Sequence, residues 1–275
     1  MQLEGTICVV TGGASGIGRA LAFEFSRRGA AGVVIADIDG ELCAKVAERI
    51  EPVVPTLAVT CDVGDPLAVQ DLVDRSMKHF GRIDIFCSNA GYSDPVTWDL
   101  SSPIEVFENV TRVNLMAHVS AAKAVLPSMV ERGSGYLLQT LSSAALISGP
   151  AAAGYTLTKF GALGFAEWIA INYRQHGVRV SCICPNAVYT AMFGRSKDLD
   201  TPVVLPVLDE IGEMLLPEDV AAMAADVMEG EETFLILPHD RVGKSFQRKA
   251  NNYDQWIERT ASRITSLRPN DPGLR

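Results

Sequence analysis

TGGASGIG, residues Thr11 to Gly18, stands between a short β-branched run ending at Thr11 and a helical pattern that starts at Ile17. Gly12, Gly16 and Gly18 are spaced GxxxGxG. Glycine permits a tight turn and close backbone approach, and a helix N-terminus offers unpaired N–H groups to an anion. A glycine cluster by itself can be a plain turn. Between a first strand and a first helix it is a place for a pyrophosphate.

Working outward from that turn, strand-like runs recur at Thr6 to Thr11, Gly32 to Ile38, Thr56 to Thr60, Ile83 to Ser88, Gly135 to Leu141, Val178 to Cys184 and Thr233 to Leu237. Helical patterns separate them at Ile17 to Arg28, Glu41 to Glu51, Pro66 to Phe80, Ile104 to Arg132, Tyr155 to His176 and Pro217 to Glu229. Nearly continuous apolar strands imply helices on both faces of a parallel sheet. Right-handed crossovers then give an α/β fold, a single doubly wound Rossmann-like domain with a mainly parallel seven-stranded sheet. That domain is expected over residues 1–239, with a lid-like insertion at about 190–216 whose apolar part runs from Asp198 to Leu216. A helical tail is expected over 240–275, with eight Lys/Arg against four Asp/Glu and with Tyr253, Trp256, Ile257, Ala261, Ile264 and Leu267 on one face.

The chain has 275 residues, 48% hydrophobic and 21% charged, enough for one sizeable core. No apolar run suggests a bilayer span, and the first strand begins too early for a cleaved leader, so a soluble cytoplasmic protein is expected. Cys8, Cys43, Cys61, Cys87, Cys182 and Cys184 lack CxxC spacing and fall mostly in apolar strands, which predicts buried thiols and no metal site. A net charge of −9 argues against nucleic acid and for a small-molecule partner.

Nineteen residues after Gly18, at the end of the second strand, Asp37 can accept hydrogen bonds from ribose hydroxyls and would repel a 2′-phosphate. Asp39 reads better as a helix cap. No arginine follows Asp37, and Ser15 is not basic, so NAD is favoured over NADP. Later in the chain Tyr155 and Lys159 lie four apart in YTLTK, on one helical face. Taken alone, that stretch leaves a plain surface pair equally open.

With these elements the chain resembles the short-chain dehydrogenase/reductase family from Leu3 to about Pro238, on TGGASGIG, CDV, SNAG, the Asn of RVNL and YTLTK in family order. The resemblance implies a cofactor site of Gly12, Ser15, Gly16, Ile17, Gly18 and Asp37, with Asp62 and Val63 at the adenine and Asn89, Ala90 and Gly91 beneath it. It adds Pro185, Val188 and Thr190 at the nicotinamide, with Tyr155 and Lys159 at its ribose. The catalytic set it implies is Asn114, Ser142, Tyr155 and Lys159. Ser142, seven residues after Gly135 and thirteen before Tyr155, fits the family interval, and Ser143 is its possible substitute. One departure is Asn186 where the family has glycine after Pro185; asparagine tolerates the left-handed conformation that such a turn would use.

The activity implied is hydride transfer between a hydrophobic alcohol and its ketone or aldehyde. Tyr155 is the general acid/base, Lys159 is the cation that lowers its pKa, and Asn114 holds a water that links the lysine to solvent. Tyr92, Trp98, Met192, Phe193, Leu205, Val207, Met214 and Leu215 are expected around an apolar cleft, about half of them as ordinary core. A homodimer or homotetramer through the two long helices is expected. The alternative is a non-catalytic NAD-binding regulator or scaffold on the same fold, which would have no chemical need for the catalytic set.

Overall fold

The strand that precedes the glycine turn, β1 (Ile7–Thr11), is buried along its whole length, as are four of the other strands except at single positions. In the computed structural model, residues 1–94, 99–149, 152–193, 195–197, 214–230 and 233–267 are described. Among them β1 joins β2 (Gly32–Asp37), β3 (Thr56–Thr60), β4 (Ile85–Ser88), β5 (Gly135–Thr140), β6 (Val178–Ile183) and β7 (Leu235–Ile236) in one sheet. The order is β3-β2-β1-β4-β5-β6-β7, and every pairing is parallel. The chain reverses its direction of travel across the sheet between β1 and β4. A crevice opens there beyond the carboxyl ends of the strands.

Alternation of side chains along the strands sorts the helices to two faces. Val9, Phe86 and Leu137 face α3 (Pro66–Phe80), α5 (Ala117–Arg132) and α6 (Ala153–Tyr173). Val10, Ile85 and Leu138 face α1 (Gly16–Arg27), α2 (Gly40–Ile50) and α7 (Pro217–Glu229). Each face carries its own apolar cluster, so the strands are buried on both sides. All six cysteines are buried and free, as expected.

Several boundaries differ from the sequence reading. β4 starts at Ile85; just before it, Asp84 bonds the Ile7 carbonyl and the Tyr136 N–H through its main chain, and its carboxylate accepts the Ile7 N–H and the Arg82 guanidinium, each at 2.8 Å. The long helix expected from Ile104 to Arg132 is α4 (Ile104–Thr111) and α5, joined by one π-helical turn over Arg112–Met116. By length and composition this stretch does pass as a bilayer span, with a mean hydropathy of 1.2, which corrects the expectation that no run would. In the fold one side of it packs into the core, burying Val110, Ala121, Val125 and Met129.

The carboxyl-terminal segment holds two helices, α8 (Asp240–Asn251) and α9 (Tyr253–Leu267). Val242 of α8 is part of the apolar core, and Lys249 is buried beneath it. On the apolar face expected of the tail, Tyr253 and Ile257 are each 55% exposed, while Trp256 is half-buried. The insertion expected at 190–216 lies largely outside the described residues, as do Trp98, Leu205 and Val207. Its described flanks are tied down: Arg195 pairs with Glu218 at 2.9 Å, and Val188 bridges to Leu215, which packs into the core and not into a cleft.

Candidate active site

The glycine turn closes against the end of β4 from below and the turn after β6 from above. A Cβ on Gly12 would lie 2.9 Å from the Ala90 Cα and from the Asn89 side chain, and one on Gly16 3.2 Å from the Thr190 methyl. Gly12 and Gly16 adopt φ +63° and +54°, the left-handed region that glycine enters without strain. Asn89 fixes the floor by donating from its carboxamide to the Thr11 carbonyl at 3.0 Å. At the top of α1 the N-cap Ser15 makes no side-chain cap, so the first N–H groups of a twelve-residue helix face the partly open turn without an internal acceptor. That donor set, with Gly12, Ser15, Gly16 and Ile17 all partly exposed, fits a pyrophosphate.

Asp37 reaches back over the turn, one carboxylate oxygen accepting the Ala14 N–H at 3.2 Å. Asp39 caps α2 by accepting the Leu42 N–H at 3.0 Å, the role expected of it. Asp62 accepts the Gly64 N–H at 2.8 Å and pairs with Arg112 at 3.1 Å. Those partners hold its carboxyl below the usual range against the opposing effect of partial burial. Arg112 was not singled out in the sequence, because it is fifty residues from the carboxylate it holds.

At the other end of the crevice, Tyr155 and Lys159 rise from the first turns of α6. The Lys159 ammonium is buried, donates to the Thr140 carbonyl at 3.0 Å and lies 5.4 Å from the centre of the Tyr155 ring. A Cβ on Gly91 would be 3.7 Å from its Nζ and 3.1 Å from Oδ1 of Asn114, so glycine there leaves the space between them clear. Burial pushes the Lys159 pKa down to about 8. The Tyr155 phenol is pushed above its ordinary value by burial, partly offset by the nearby Ser142 hydroxyl. Burial acts against the charged form of both groups, raising the tyrosine and lowering the lysine.

The two serines after β5 are distinguished by their partners. Ser142 accepts the Ala144 N–H at 3.1 Å, and its hydroxyl is near enough to the Tyr155 phenol to act against the effect of burial on it. Ser143 donates its hydroxyl to the Asn186 carboxamide oxygen at 3.2 Å and so points away from the tyrosine. Asn186 is not left-handed: Ala152 alone among the described non-glycine residues has positive φ. Asparagine is explained here by its side chain, not by tolerance of an unusual backbone. Asn114, in the π-helical turn, is fully buried and clamps the Tyr92 main chain, donating to its carbonyl at 2.7 Å and accepting its N–H at 3.1 Å. Pro185 and Val188 frame the turn after β6, with the Pro185 carbonyl accepting the Ser143 N–H at 2.7 Å.

Asp94 is a further residue that the sequence did not mark. Its buried carboxylate accepts the N–H groups of Gly154 at 3.1 Å and Tyr155 at 2.8 Å, capping α6 where the tyrosine starts. A cap sixty residues away leaves no local pattern to find.

The sequence model of the short chain dehydrogenase family matches residues 6–200. A 1-deoxy-11-beta-hydroxypentalenate dehydrogenase of Streptomyces exfoliatus is 41% identical over 197 residues, 70% of each chain. One of the same name from Streptomyces avermitilis is 34% identical over 98% of this chain and 100% of its own. Among solved structures, a short chain dehydrogenase/reductase from Burkholderia phymatum in complex with NAD aligns at a TM-score of 0.81 with 23% identity, over 93% of this chain and 96% of that one. A 3-ketoacyl-(acyl-carrier-protein) reductase from Brucella melitensis complexed with NADH aligns at 0.76 with 26% identity, over 86% and 96%.

Proposed function

Because this chain belongs to the short-chain dehydrogenase family and is an oxidoreductase of that kind, we propose that it interconverts a hydrophobic alcohol and its ketone or aldehyde with NAD(H), using Tyr155 as general acid/base. The observation that carries this reading is the buried Lys159 ammonium, held on the Thr140 carbonyl at the end of β5 and 5.4 Å from the centre of the Tyr155 ring. Names of the Streptomyces relatives, dehydrogenases of a hydroxy compound, support the substrate class.

Nicotinamide dinucleotide, when bound, supplies the acceptor or donor of hydride. Gly12, Ser15, Gly16, Ile17 and Gly18 would hold its pyrophosphate, Asp37 its adenosine ribose, Asp62 and Val63 its adenine, and Asn89, Ala90 and Gly91 the floor. Pro185, Val188 and Thr190 would meet the nicotinamide, and Lys159 the second ribose. In oxidation the Ser142 hydroxyl orients the substrate oxygen, the alcohol O–H proton passes to the Tyr155 phenolate, and the hydride leaves the carbinol carbon. In reduction Tyr155 returns the proton to the carbonyl oxygen. Lys159 in its charged form stabilises the phenolate, and the spare hydrogen-bonding capacity of Asn114 can hold a water beside it. We place the enzyme in the cytoplasm as a homodimer or homotetramer; six free cysteines support a reducing compartment.

Asp37 makes the cofactor preference testable. A carboxylate against a 2′-phosphate should weaken NADP relative to NAD by about a hundredfold or more. Calorimetric titration of both dinucleotides should show that gap, narrowed in Asp37→Ala. Equal or tighter binding of NADP by the wild type would contradict the assignment. Dinucleotide binding without turnover of any alcohol or ketone would instead favour a non-catalytic NAD-binding regulator.

A further inference from the structure

The two loops that flank the reacting position, after β5 and after β6, are joined by a chain of side chains that ends in α8, outside the residues matched by the family model. His239, 1% exposed, is the N-cap residue of α8. Its Nδ1 accepts the Asn186 N–H at 3.1 Å, so Nδ1 carries no proton in this contact. Nε2 lies 3.2 Å from the Ala187 carbonyl, which has no proton to give, and so Nε2 must be the donor. The imidazole is thereby fixed as one neutral tautomer that brackets a single stretch of backbone.

From there the contacts run toward the serines. The Asn186 carboxamide oxygen accepts the Ser143 hydroxyl at 3.2 Å, and the Pro185 carbonyl accepts the Ser143 N–H at 2.7 Å. Ser143 is in this way occupied on the turn after β6, while its neighbour Ser142 is held by the Ala144 N–H at 3.1 Å. A second contact from α8 supports the same corner: the buried Lys159 has no part in it, but Lys249 donates to the Leu146 carbonyl at 2.8 Å and lies 4.4 Å from the centre of the Phe160 ring. Hydride transfer is sensitive to displacements well under an ångström, and a rigid imidazole holds such a turn with little freedom to lose.

We propose that His239, Asn186 and Ser143 form a positioning chain that sets the Pro185–Thr190 turn, where the nicotinamide would lie, against Ser142. The proposal rests on the reading of the crevice as a dinucleotide site. It gives Asn186 a reason to stand where glycine would suffice for the backbone, and it makes His239 a positioning residue rather than a catalytic one.

The test measures NADH affinity by fluorescence titration, kcat and KM on an accepted alcohol, and thermal midpoint, in His239→Phe, His239→Gln, Asn186→Gly, Ser143→Ala and the His239→Phe/Ser143→Ala pair. Phenylalanine keeps the ring and removes both hydrogen bonds; glutamine can still donate to the Ala187 carbonyl. His239→Phe and Asn186→Gly should each weaken NADH about fivefold or more and lower kcat with KM for the alcohol little changed. The double variant should be no worse than His239→Phe alone, and His239→Gln should recover part of the loss. Additive losses, or NADH affinity and kcat unchanged in a His239→Phe protein whose midpoint has fallen, would reduce His239 to a structural residue and overturn the proposal. If the wild type itself binds no NADH, the dinucleotide reading fails separately. The midpoints then decide the chain, non-additive for His239 and Ser143 if it exists and additive if it does not.

Discussion

Lys159, Tyr155 and His118 show how burial sets the resting charge around the crevice. Lys159 is drawn down to about 8 and Tyr155 is raised, so near neutral pH the tyrosine is protonated and the lysine charged, and oxidation should speed up with rising pH while the lysine keeps the charge that stabilises the phenolate, up to about 8. His118 is the extreme case. It is buried in α5, neither ring nitrogen has a partner among the described residues, and burial with help from Lys159 pushes its pKa down to about 3. An unfolded histidine titrates near pH ~6.5. Below that pH the unfolded chain binds a proton that the folded chain refuses, so His118 costs stability as pH falls from about 6.5 toward 3, by up to about 1.4 kcal/mol per pH unit. His118→Leu has no nitrogens to leave unpaired. Thermal melts between about pH 4.5 and 7 should show a shallower acid loss in His118→Leu than in the wild type. Parallel curves would mean that His118 takes up its proton in the folded state.

At the level of elements, the start of α6 decides where the tyrosine sits, and its cap comes from the loop after β4. Asp94→Ala removes the acceptor for two helix N–H groups and should cost about 1–2 kcal/mol. Turnover should fall more than NADH affinity does, because the change is local to Tyr155; equal losses in both would show a general collapse of the crevice instead. Immediately before α6, Ala152 sits at φ +57°, a conformation costing roughly 1–2 kcal/mol for a residue with a Cβ. Ala152→Gly relieves that strain and adds unfolded-state entropy, so its thermal midpoint should rise by an amount worth roughly 0.5–1 kcal/mol. A fall would show that the Ala152 side chain contributes packing that outweighs the strain. The π-helical turn at Arg112–Met116 belongs to the same scale. It interrupts the helix at Asn114 and Arg112, the two residues whose side chains bind the Tyr92 main chain and Asp62.

Across the whole molecule, what was legible in the sequence is what depends on short-range pattern. Apolar strands alternating with amphipathic helices gave the doubly wound sheet, the glycine spacing gave the turn after β1, and the interval of four placed Tyr155 and Lys159 on one face of α6. Contacts made by side chains far apart in sequence were not legible. Asp94 on α6, Arg112 on Asp62 and His239 on Asn186 each span fifty or more residues and leave no periodicity behind. Nor could spacing tell why Asn186 replaces glycine, since its reason is a partner on another loop. Burial was not legible for a related cause: residue types announce the lysine but not that its ammonium is enclosed.

We propose that the crevice moves a proton through Tyr155 while hydride moves to or from NAD(H). Tyr155→Phe keeps the ring and removes only the hydroxyl. Its most direct test is the steady-state rate of Tyr155→Phe on an alcohol that the wild type oxidises, with NAD affinity measured on the same preparation. Affinity should be retained while turnover falls by about 10² to 10⁴-fold, the usual contribution of a positioned acid/base. Oxidation by Tyr155→Phe at close to the wild-type rate would show that the proton does not pass through Tyr155.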